Sequence, residues 1–168
     1  TGEIIKGHVT LGSLRVRPDS LLAEGLLAPY EQGKPVSPKM MEMALARLRQ
    51  LAAHEVGHTL GLQHNYSSST VNRSSVMDYP PPLITVGEDG VPDVSNAYAT
   101  GIRDWDKVAI TFGYQDFAPT VDEHAALNKI ISDALSHGLR YLTDHDARPA
   151  VSSSSVAPPY DSGSDSVA

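Results

Sequence analysis

The chain has no cysteine, so disulfides and thiolate metal sites are excluded, and only His, Asp, Glu and Tyr remain as metal ligands. It also lacks a basic run or stripe. The 13 Lys and Arg are outnumbered by 20 Asp and Glu, and the net charge of −7 is spread along the sequence. Nothing there grips phosphate, so nucleic acid is not an expected partner. No apolar run approaches the roughly 20 residues that span a bilayer, and the opening TGEIIKGHVT has neither the charged nor the apolar region of a signal peptide. The chain begins at Thr1 rather than Met, which fits a segment of something longer. At 168 residues it can bury one core.

Successive stretches differ in character. Residues 3–17 alternate β-branched and apolar residues around Gly7 and Gly12, which predicts an extended strand or two short ones, closed by Pro18 and Asp19. A short apolar piece, residues 20–28, leads into the turn signals of PYEQGKPVSP. Ser37 and Pro38 then supply an N-cap and a first-turn proline for a helix of about two dozen residues ending near Gly61. Residues 65–100 are rich in Ser, Pro, Gly, Asn and Asp and predict little regular structure. Helical spacing returns over 103–112 and 121–139. The tail VSSSSVAPPYDSGSDSVA holds too few large apolar residues to offset its ordering entropy, and 150–168 is expected to be disordered.

The end of the long helix carries the chemistry, in HEVGHTLGLQHN. Helical phase places Met41, Leu45, Leu48, Ala52 and Val56 on one face, and His54 and His58 almost opposite, beside Arg47 and Gln50. The histidines are therefore expected off the packing face. Side chains at i and i+4 stand one turn apart, close enough for two imidazoles to share one ion. Gly61 can take a left-handed conformation and end the helix, so the chain can turn and return His64 to the same metal. Glu55, rotated about 100° from His54, suits a base that takes a proton from a metal-bound water whose pKa the ion lowers. From the chain's composition, a chance HExxH arises about once per hundred such sequences; adding the Gly and third His lowers this to about four in a hundred thousand.

HEVGHTLGLQH resembles the HExxHxxGxxH signature of the metzincin zinc metallopeptidases, and SSVMDYP resembles their methionine turn. The resemblance implies Zn2+ as cofactor, His54, His58 and His64 as its ligands, Glu55 as general base and acid, and Met77 as a hydrophobic floor that does not bind the ion. Tyr79 follows Met77 at the spacing of the tyrosine that, in the astacin and serralysin branches, reaches the zinc and then stabilises the oxyanion. GEIIKGHVTLGSLRVRPD, DVSNAYATGIRDWDKVAITFGY and GLRYLTDHDARP further resemble large bacterial zinc-dependent metalloproteases of this type, which covers nearly everything from Gly2 to Pro149. The implied fold is α+β, a zincin-like catalytic core with a truncated upper β-sheet, the zinc-binding helix, and a mainly helical lower subdomain. Residues 1–64 are assigned to the upper part and 65–149 to the lower. Residues 4–16 are the candidate strand bordering the cleft, where an extended peptide can add by main-chain pairing.

The resemblance also implies a segment of a longer, often exported polypeptide, in the periplasm, at the cell surface or secreted, with a peptide or protein as substrate. Two other functions stay open: a zinc amidase acting on a non-protein amide, and a non-catalytic zinc-containing module of a larger protein. His8, His124, His137 and His145 have no metal spacing. Trp105, Val108, Ala109, Ile110 and Phe112 form the apolar side of a helix under the site, and Asp104 and Asp106 suit the helix dipole at its start. Asp144 and Asp146 are read as holding a loop through Arg148, without the spacing of a full calcium loop.

Overall fold

The computed structural model describes residues 3–12, 14, 16–31, 33, 37–147, 149, 154 and 157. Among these residues it is mainly helical, with one small sheet: α1 (Val16–Glu31), α2 (Pro38–Thr59), a 3-10 turn (Tyr66–Ser68), β1 (Thr85–Val86), β2 (Pro92–Asp93), α3 (Asp104–Tyr114), α4 (Glu123–Ser136) and α5 (Asp144–Ala147). No helix among the described residues is long and apolar enough to cross a membrane. The chain divides into two compact units, residues 1–60 with 81–101 and residues 61–80 with 102–168.

In the first unit, α2 forms where its caps predict. Ser37 takes an extended conformation and its Oγ accepts from the Lys39 amide, while Pro38 occupies the first turn. Leu60 closes the helix through its amide to the Val56 and Gly57 carbonyls, and Gly61 follows at φ +84°. An L side chain is strained there, so glycine allows the sharp exit.

Two expectations are corrected. Residues 3–12 form no strand, and the chain enters α1 at Val16. A strand exists only through its ladder, and the pairing among described residues is the short antiparallel hairpin Thr85↔Asp93 and Val86↔Pro92. Gly7 instead lies against the end of α2, where an added Cβ would stand 3.0 Å from Thr59 Cβ. The apolar piece at 20–28 is the middle of α1: Pro18 and Asp19 fall in a first turn that tolerates proline and favours an acid, and so start a helix rather than close a strand.

The second correction concerns the packing face of α2. Met41 (55 % exposed), Leu45 (37 %) and Val56 (48 %) face outward, whereas Met40, Met43, Ala44, Gln50, Leu51, His54 and Gly57 are buried. At 100° per residue, Met40, Met43, Ala44, Leu51 and His54 share an arc of about 100°. The helix carries two apolar stripes, and the one that α1 and the 81–101 segment cover is the Met40 stripe, through Ala23, Leu27, Val94, Ala97 and Tyr98. His54 continues that stripe. Arg47 lies 5.3 Å from the Tyr98 ring centroid, and burial pushes the Tyr98 phenol above its ordinary pKa.

In the second unit, α3 and α4 pack on each other. Asp122 caps α4 by accepting from the Ala125 amide, and Gly138 ends it at φ +85°. Trp105 is buried and stacks on Tyr141 at 5.2 Å, while Phe112 stays exposed. Of the Ser-rich tail, Ser154 donates its amide to the Ala147 carbonyl and Ala157 is buried beside Tyr66 and Ala147; the remaining residues of 150–168 lie outside the described ones, as does Arg148.

Candidate metal centre

One turn of α2 sets the first pair of candidate ligands. His54 Nε2 and His58 Nε2 stand 3.1 Å apart, with ring centroids 4.7 Å apart and the planes nearly perpendicular. Two nitrogens bound tetrahedrally to one zinc ion lie about 3.4 Å apart. The pair is already close to that spacing. His54 is only 1 % exposed, so its imidazole has been withdrawn from water before any ion arrives.

The third histidine follows the left-handed exit at Gly61. The ligand nitrogens of His54, His58 and His64 lie within 4.8 Å of one another, and the three can hold a metal ion. Donor type fits as well: three neutral imidazoles suit zinc and leave its double charge uncancelled. Glu55 lies between the two helix histidines in sequence and is half-buried.

His64 is held from elsewhere in the chain. Its Nδ1 stands 2.7 Å from Asp144 Oδ2, and the Tyr66 hydroxyl donates to Asp144 Oδ1 at 2.9 Å. On its other side, Nε2 is 3.1 Å from the Tyr79 hydroxyl. The neighbouring backbone is laced to the Arg140–Asp144 segment. Asn65, fully buried, donates through Nδ2 to the Arg140 carbonyl at 2.9 Å and accepts through Oδ1 from the Leu142 amide at 3.2 Å. The Tyr66 amide donates to the Leu142 carbonyl at 2.9 Å, and Thr143 Oγ1 donates to Gln63 Oε1 at 3.1 Å.

Met77 is buried, and its carbonyl accepts from the Asn65 amide at 2.8 Å, which ties its loop to the residue after His64. Asp106 pins the same loop. Its buried carboxylate accepts from Ser75 Oγ at 2.6 Å, from the Val76 amide at 3.0 Å and from the Arg103 amide at 2.7 Å. Asp106 therefore does more than complement the dipole of α3: it joins the start of that helix to the methionine loop. Asp144 likewise turns to His64 and Tyr66, and Asp146 accepts from the Thr143 amide at 3.4 Å.

Residues 36–168 match the profile of the Met-zincin family. The chain belongs to the Met-zincin family. Membership and the histidine triad together point to a zinc metallopeptidase type of hydrolase. No curated protein and no solved structure matches the chain.

His8, His124 and His137 meet partners two to four residues away, at Thr10, Asn128 and the Asp133 carbonyl. Sequence reasoning missed Asn65, Tyr66 and the part that Asp144 plays. Their partners are 75 to 80 residues distant, and the one available signal was that GLRYLTDHDARP belongs to the resemblance.

Proposed function

We propose that this Met-zincin hydrolyses peptide bonds with His54, His58 and His64 as zinc ligands and Glu55 as the proton carrier. The observation that carries the reading is the convergence of the three ligand nitrogens within 4.8 Å, with Glu55 adjacent to the first in sequence. Zinc, when bound, supplies Lewis acidity: it acidifies water and polarises the scissile carbonyl. Glu55 takes the proton from the attacking water and delivers it to the leaving amine, which requires one carboxylate to serve as base and then as acid. Tyr79 has a phenol that can donate to the charge developing on the carbonyl oxygen, and its hydroxyl, 3.1 Å from His64 Nε2, supports that role. Met77 forms the apolar floor.

A cavity of about 590 Å³, lined by Trp105, Ala109, Phe112, Ile131, Leu135 and Tyr141 and reaching Gln63 and Met77, supports a peptide that presents an apolar side chain. Glu55→Gln keeps the size of the side chain and removes the base. Digestion of a peptide library, with and without a chelator, should fall by at least about a thousandfold while zinc stays bound. Hydrolysis that survives the substitution rules out Glu55 as the proton carrier.

A further inference from the structure

Asp144 stands 80 residues from His64 in sequence and is half-exposed, yet it makes a short contact with the imidazole. A carboxylate only accepts, so the hydrogen in this 2.7 Å bond belongs to His64 Nδ1. In the neutral ring Nε2 is then left with its lone pair, in the form that a metal requires. The Tyr66 hydroxyl, 2.9 Å from the second oxygen of Asp144 and 3.2 Å from His64 Nδ1, fixes the carboxylate and the ring edge together. The opposite ring edge meets Tyr79, whose hydroxyl can donate to the Nε2 lone pair at 3.1 Å. Asp144, which can only accept, sets the tautomer, and the Tyr66 and Tyr79 hydroxyls, which can donate or accept, fit it.

The reason for such a device lies in the local backbone. His54 and His58 inherit their orientation from α2, but His64 comes after the helix has ended and has no regular element to aim it. The hydrogen bonds that lace residues 63–66 to residues 140–144 carry the carboxylate to the ring. We infer that Asp144, with Tyr66, is a positioning residue that locks His64 in the Nδ1–H tautomer and presents Nε2 to the metal. A carboxylate behind a ligating histidine fixes the tautomer and the orientation of the ring. The inference rests on the reading of His64 as a zinc ligand.

The test uses the full chain. Nitrogen NMR of the metal-free protein should show His64 as the Nδ1–H tautomer, and Asp144→Ala should shift it toward Nε2–H. Zinc affinity, measured by chelator competition against the wild type, should weaken by about tenfold, the low end for such a partner because Asp144 is half-exposed. Asp144→Asn, whose amide oxygen still accepts, should restore part of both; it also carries the test should the alanine variant fail to fold. A His64 tautomer that does not change, or zinc affinity within about twofold of wild type in both variants, overturns the inference. Because the tautomer is read without metal and without substrate, loss of the peptidase reading leaves this outcome distinct.

Discussion

His54 and His58 are held one way and His64 another. The helix pair depends on four residues of sequence separation, on an N-cap at Ser37, and on a stripe of small and apolar side chains that continues into His54. His64 depends on Asp144, on Tyr66, and on a fully buried Asn65 whose side chain reaches residues 140 and 142. Hydrogen bonds of the helix close over four residues and need little loop entropy. Those around His64 close a loop of nearly 80 residues and become favourable only once the chain is folded. The three candidate ligands therefore differ greatly in how much of the fold each one requires.

The largest expected effect tests whether the two kinds of ligand are equal partners once zinc is present. His58→Ala and His64→Ala should each weaken zinc affinity by more than about a hundredfold in chelator competition, beyond the usual cost of losing an outer partner. If affinity is unchanged in His64→Ala, His64 leaves the ligand set and the comparison collapses to a two-histidine helix end.

A middle effect falls on the long-range side alone. Asn65→Ala strips the partner from the Arg140 carbonyl, the Leu142 amide and Ser67 Oγ, and should cost about 2–3 kcal/mol in urea unfolding. Amide exchange should rise at Leu142 with little change within α2. If the loss is spread evenly over both regions, the helix pair depends on the 140–144 segment as much as His64 does.

The smallest effect falls at the junction. Gly61→Ala meets no neighbour within 4 Å but must hold φ near +84°, so about 1–2 kcal/mol should be lost from the left-handed conformation alone. A thermal melt with no shift would mean that the turn relaxes to another conformation and that a glycine is not needed to bring His64 round.

What was legible follows the same division. The long helix, its capping serine and proline, its glycine exit, the sparse middle stretch and the two later helices all came from local rules: caps, periodicity and turn residues. The extended reading of residues 3–17 failed because alternation describes a side-chain pattern and does not supply a pairing partner. The packing face of α2 failed for a related reason. Two apolar stripes were present, and periodicity alone cannot say which one a neighbour will cover. The buried stripe proved to be the one that runs through His54 and places the first candidate ligand out of water.

By itself, the sequence determined the candidate donor set and its local spacing: three histidines, one glutamate between the first two, a helix that ends at a glycine, and no thiol to compete. These are properties of chain chemistry and helical repeat, and they survive without knowledge of the fold. Only the tertiary structure decided which way the long helix faces, that Asp106 ties the methionine loop to α3, and that Asp144 stands behind His64. Each of those depends on groups many residues apart meeting in space, and no local rule of propensity or spacing carries that information.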